Sequence, residues 1–273
     1  MLRWLTLVSL ILLALAGWGY ANILRDPVMR AARIGMADWP IDAAALQVAL
    51  IGDVHVQGPD MPPERVKRLV AQVNAAQPDL ILLAGDFVGD RLLATRAYPD
   101  AEIAEALRGL SAPLGTWAVL GNHDHWRNGP SMAAALETIG IRVLSNRAVR
   151  AGAVTLVGAD DIHTGHADPS AIERAAAKLP GPAILLSHSP DLVPRLSPRF
   201  ALVLAGHTHC GQIVLPLLGA VASASNYGDR YRCGVIREGS RTVVVGSGLG
   251  ASILPLRYGA VPDWWLLTLG PAG

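Results

Sequence analysis

Five times along this sequence a short apolar run stops at a polar cluster carrying Asp, Asn or His. Residues 46–51 run into Gly52-Asp53-Val54-His55, residues 80–84 into Gly85-Asp86, and residues 116–120 into Gly121-Asn122-His123-Asp124. Residues 183–186 run into Ser187-His188, and residues 201–204 lead to Gly206-His207-Thr208-His209. Apolar runs this short, bounded by turn-forming residues, have the length of buried strands. Between them lie amphipathic stretches of helical period at 62–76, 101–110, 131–139 and 171–179. The alternation predicts an α/β fold, in which the loops after successive strands converge on one crevice. Residues 142–157, 213–215, 232–237, 242–245 and 264–269 add further strand-like pieces.

The residue types at those strand ends define a chemistry. Asp53, His55, Asp86, Asn122, His188, His207 and His209 offer carboxylate, imidazole and amide-oxygen donors without a thiolate. Such a set suits borderline divalent cations, manganese first, with iron or zinc as alternatives. Seven ligands are too many for one ion and fit two that share a carboxylate. The i, i+2 spacing of Asp53 with His55, and of His207 with His209, lets each pair point to one side as the chain leaves its strand. Glycine precedes four of the clusters, where a tight turn or a close backbone approach is needed. A lone Asp-x-His or Gly-Asp is common by chance; five clusters in order, each after an apolar run, are not.

Composition narrows the rest. Charged residues make up 16% and hydrophobic residues 51%, with a net charge of +1, so a filled core is expected and a broad nucleic-acid surface is not. Cys210 and Cys233 are too few for a disulfide scaffold. They read as free or buried thiols, able to pair only if the domain faces an oxidising compartment. Residues 4–24 are almost wholly apolar and long enough to cross a bilayer, with Trp4, Trp18 and Tyr20 near the ends. Residues 1–24 are therefore expected to be a transmembrane anchor or uncleaved signal, 25–45 a linker, and 46–273 the catalytic domain. The Ala14-Leu15-Ala16 triplet offers a competing cleavage pattern. Arg25, Arg30 and Arg33 outweigh the α-amine and Arg3 by one charge, which favours a cytoplasmic domain.

These clusters together resemble the blocks of the calcineurin-like metallophosphoesterase superfamily: D-x-H, G-D, G-N-H-D/E, H and G-H-x-H. The resemblance covers roughly residues 46–269, and SHSPDL, LAGHTHCGQI and LPLRYGAVPDWWLLTL look like a bacterial branch with an N-terminal anchor or export signal. It implies a four-layer αββα sandwich of two mixed sheets flanked by helices, preceded by one transmembrane helix in a bacterial inner membrane. It implies that Asp53, His55 and His209 hold one of two divalent metals, that Asn122, His188 and His207 hold the other, and that Asp86 bridges them. His123 would protonate the leaving group, with Asp124 orienting it. Two cations so held activate water and neutralise phosphoryl charge. The implied activity is hydrolysis of a phosphodiester or pyrophosphate at the membrane, as in enzymes resembling UDP-2,3-diacylglucosamine pyrophosphatases of lipid A biosynthesis. A general phosphodiesterase or phosphomonoesterase is the alternative. A non-catalytic metal-binding scaffold would tend to lose ligands, and none is missing. Two loops, 160–166 with His163 and His166, and 226–232 with its arginines, are candidate borders of the substrate.

Overall fold

The computed structural model describes residues 1–91 and 93–272. Twelve strands form two six-stranded sheets packed face to face. The first contains β1 (Val28–Met36), β2 (Leu46–Ile51), β3 (Leu80–Leu83), β4 (Thr116–Ala118), β5 (Arg142–Val143) and β12 (Asp263–Pro271), in the order β1-β12-β2-β3-β4-β5. The second contains β6 (Arg147–Ala151), β7 (Val154–Gly158), β8 (Ala183–Leu186), β9 (Phe200–Ala205), β10 (Gly234–Glu238) and β11 (Arg241–Val245), in the order β10-β11-β9-β8-β7-β6. Both sheets are mixed. β2, β3, β4 and β5 run parallel and β12 pairs antiparallel with β2. β7, β8, β9 and β11 run parallel, with β6 and β10 antiparallel at the edges.

Strand alternation divides the apolar side chains between layers. In β3, Leu80 and Leu82 face the space between the sheets, where they meet Val48, Leu50, Ile184, Leu186, Leu202 and Leu204. Ile81 and Leu83 face outward onto α2 (Pro63–Ala75), α3 (Asp100–Leu107) and α4 (Asn122–Thr138). On the far side, Leu185, Val203 and Val243 pack with Ile172 and Ala176 of α5 (Pro169–Ala177). Because both faces of the central strands β3, β7 and β8 are buried, those strands read as continuous apolar runs. The result is the αββα sandwich that the family resemblance implied.

Three expectations change. The expected linker at 25–45 contains the nine-residue strand β1, which pairs in parallel with β12 from Val28–Asp263 to Met36–Pro271 and buries Ile34 and Met36. Its arginines and small residues hide the period of an edge strand that has one face half-exposed. The helix expected at 131–139 begins nine residues earlier, at Asn122, because a kink at Asn128 joins two short helical pieces. The cysteines are paired: Cys210 and Cys233 form a disulfide with Cα atoms 4.7 Å apart. Helix α1 (Leu2–Ile23) is apolar, long enough to cross a membrane, and exposed along most of its length.

Candidate metal centre

All seven expected ligands come together where the parallel strands end. Asp53 and His55 follow β2, Asp86 follows β3, Asn122 opens α4, His188 follows β8, and His207 and His209 follow β9. Five of them (Asp53, His55, Asp86, His207 and His209) hold positive φ between 47° and 70°. Non-glycine residues avoid that region, and such strain persists where surrounding structure fixes it, typically at functional sites. Two glycines make room for the carboxylates. A Cβ on Gly121 would collide with Asp86 Oδ1, and one on Gly206 would lie 2.5 Å from Asp53 Oδ2.

The donor atoms converge in overlapping groups around Asp86. Asp53, His55 and His209 bring ligand atoms within 4.8 Å of one another, as do Asp86, His188 and His207, and His55 and Asp86 with His123. His55 Nε2 and His209 Nε2 approach to 3.1 Å. His188 Nε2 lies 3.0 Å from both Asn122 Oδ1 and His207 Nδ1. Asp86 Oδ2 sits between the groups, 3.6 Å from His55 Nε2 and 3.3 Å from His188 Nε2. The outer ring nitrogens donate to backbone carbonyls: His55 Nδ1 to Val88 O, His188 Nδ1 to Ala84 O and His207 Nε2 to Ala224 O, at 2.7 to 2.9 Å. Such bonds fix the tautomer that aims a lone pair inward, the usual support of a metal-binding imidazole.

Charge supports the same reading. Burial pushes Asp53 up to about 7. Burial also works against charge on His188, yet Asp86 and Asp53 hold that ring up to about 10. His55 falls to about 4, chiefly through burial. The cage gathers carboxylates in a place where negative charge is costly, and divalent cations relieve that cost while displacing protons from the histidines. The donor set therefore fits divalent metal.

Asp124, expected to orient His123, directs its carboxylate to backbone instead, accepting from the N–H groups of Asp86, Phe87, Val88 and Gly121 at 2.9 to 3.0 Å. It ties the Asp86 loop to the start of α4. The partner of His123 is Asp90, whose Oδ1 lies 2.6 Å from His123 Nδ1. Sequence reasoning missed Asp90, although it stands four residues after Asp86 in the same loop. It also missed Arg257, fully buried behind His209 with Nη2 3.2 Å from the ring Nδ1. His163 stacks on His207 at 4.2 Å, whereas His166 stacks on His125. The arginines of 226–232 are engaged elsewhere, Arg230 with Glu238 and Arg232 with Asp229.

A cleft of about 360 Å³ opens over the cage. Its floor includes Asp86, Asn122, His123 and His207, and its walls include Trp126, Val221, Ile253 and Leu254.

Residues 46–211 match the family model described as calcineurin-like phosphoesterase, and the chain belongs to that family. It is a metal-dependent phosphoester hydrolase. Among curated relatives, the chain is 30% identical over 263 residues to the uncharacterized metallophosphoesterase YkuE of Bacillus subtilis, covering 93% of this chain and 90% of that one. It is 30% identical over 264 residues to the phosphodiesterase YaeI of Escherichia coli, covering 93% of each. A transmembrane protein with metallophosphoesterase domain from Danio rerio is 28% identical over 92% of this chain, which spans 60% of that protein.

Proposed function

We propose that the protein is a two-metal phosphodiesterase held at a membrane by α1, with its catalytic domain on the oxidising side. The observation that carries this reading is the pair of ligand groups that meet at Asp86. Asp53, His55 and His209 would hold one cation and Asn122, His188 and His207 the other, with Asp86 available to both. Manganese is the preferred metal, with iron or zinc possible. When bound, the cations activate water and neutralise phosphoryl charge. The chain's own part is positional. The strained strand ends fix the ligands, the backbone carbonyls fix the imidazoles, and Asp90 holds His123 at the cleft floor with its far nitrogen toward the reacting centre. His123 is the acid that protonates the departing oxygen.

The relative named a phosphodiesterase supports cleavage of a diester. So do the apolar cleft walls, which would bury little of a small phosphomonoester. Of substrates with the right bond, UDP-2,3-diacylglucosamine of lipid A biosynthesis matches the anchor. It belongs to a cytoplasmic step, however, and the Cys210–Cys233 disulfide favours the oxidising side over the one-charge margin of the flanking arginines. The test is the purified full chain, stripped by chelation and reloaded with Mn²⁺. Elemental analysis should find two ions per chain, and a soluble aryl phosphodiester should yield the monoester. Release of UMP from the lipid A precursor together with a cytoplasmic C-terminal reporter would overturn the assigned side.

A further inference from the structure

Large apolar side chains stand exposed around the mouth of the cleft. Leu217 is fully exposed, Leu218 is 80% exposed, Ile253 78% and Val221 64%. Leu217 and Ile253 also hold φ of 66° and 57°, in the left-handed region that bulky residues avoid. Backbone strain is thus sustained at positions where the side chain makes no core contact.

This rim is continuous with the anchor. Gln212 ties the loop carrying Ile253 to the hairpin carrying Leu217 and Leu218, donating to Ser252 O and Leu254 O and accepting from Ser252 N at 2.8 to 3.0 Å. Tyr258 ties both to α1. Its N–H donates to Gln212 O and its carbonyl accepts from Val214 N. Its hydroxyl donates to Leu15 O, and its ring meets Trp18 edge-on at 5.4 Å. Leu15 lies about 12 Å short of the end of α1 at 1.5 Å per residue. Only Leu2 to Trp18 is exposed without a break, a length of about 25 Å. A bilayer core is about 30 Å thick. The domain edge at Tyr258 must therefore lie at interfacial depth for α1 to span.

We infer that the rim formed by Leu217, Leu218, Val221 and Ile253 is inserted in the bilayer, so that the cleft opens onto lipid. The substrate is then a phosphodiester whose apolar chains remain in the membrane while its headgroup bond reaches the metal cage. This substrate class rests on the phosphodiesterase reading above; the insertion itself does not.

The test uses the full chain in phosphatidylcholine–phosphatidylglycerol vesicles. Leu218→Cys, labelled with an environment-sensitive fluorophore, should show blue-shifted emission and quenching by nitroxides placed high on the acyl chain. The label on Lys178→Cys, at the exposed end of α5, should show neither. Leu217→Asp/Leu218→Asp lies outside the cleft lining, so it should leave soluble aryl phosphodiester hydrolysis unchanged. Hydrolysis of phosphodiester lipids in the vesicles should fall about tenfold or more, as expected when charges replace apolar groups at an interface. An unshifted label at position 218 overturns insertion. A blue shift that depends on protein concentration and resists lipid quenchers also overturns it, in favour of a second copy covering the rim. If insertion holds but neither substrate is cleaved, the phosphodiesterase reading fails and the membrane surface stands.

Discussion

At the scale of single residues, two aspartates near His123 divide the work. Asp90 makes the 2.6 Å contact with the ring, and Asp124 holds four backbone N–H groups. Asp90→Asn should lower kcat about 100-fold on alkyl phosphodiesters, whose leaving group needs a proton, and much less on nitrophenyl esters, whose leaving group does not. Equal losses on both would remove Asp90 from the acid's support. Asp124→Ala should instead lower the melting temperature, because it strands buried donors at roughly 1–3 kcal/mol each. A second His–Asp pair lies away from the cage, where His125 Nε2 meets Asp160 Oδ1 at 2.7 Å. The hydrogen bond to Asp160 raises the His125 pKa. A raised histidine stabilises fully below its unfolded value of about 6.5 and ceases to do so as pH climbs through its native value. Asp160 is held low despite burial, chiefly by its bond to His125, so its share is lost only in acid. The melting-temperature advantage over His125→Gln should therefore shrink once pH passes about 6.5. An advantage that grows with pH would contradict the pairing.

At the scale of elements, the strand ends and the disulfide do complementary work. The strands deliver ligands from five loops, and the 3₁₀ turn at His209–Gly211 carries the last ligand directly into Cys210. The bond to Cys233 closes a sequence separation of 23 residues, which includes the hairpin of the apolar rim. Closing a loop of that length stabilises by about 3 kcal/mol in the chain-entropy account. Reduction, or Cys210→Ser/Cys233→Ser, should lower unfolding stability by that order and weaken metal retention through His209. Urea unfolding with and without reductant, with bound metal measured alongside, checks both. The strand β1 matters differently. It converts the segment after α1 from a tether into part of the first sheet, and thereby fixes the domain against α1.

At the scale of the molecule, hydrogen bonds join α1 to the rim through Tyr258 and to the cage through Arg257. Asn22 donates to Arg257 O, Arg257 N donates to Gly19 O, and Arg257 is the residue buried behind His209. Helix α1 and the metal cage thus share a structural residue. Arg65, reaching Arg25 O just past α1, adds a second brace. A catalytic domain so fixed cannot rotate freely about a flexible tether, and under the membrane-held reading proposed above its cleft keeps one orientation to the bilayer.

The order of residues alone determined the α/β alternation and the divalent-metal donor chemistry, while the four-layer sandwich and the phosphoester reaction came through the family resemblance that those residues carry. Apolar strands that end in ligands carry both signals locally, in the period of their side chains and in the donor types after them. Helix limits were legible to within a few residues where an apolar stripe ran unbroken, and illegible at Asn128, where a kink joins two pieces. What only the tertiary structure decided depends on contacts between distant parts of the chain. Asp90, and not Asp124, meets His123 because the Asp86 loop folds over the start of α4. Cys210 meets Cys233 because the hairpin between them folds back. The strand β1 becomes visible only beside β12, its partner across more than two hundred residues. Local periodicity cannot encode pairings of that range, since their energy exists only once both partners are in place.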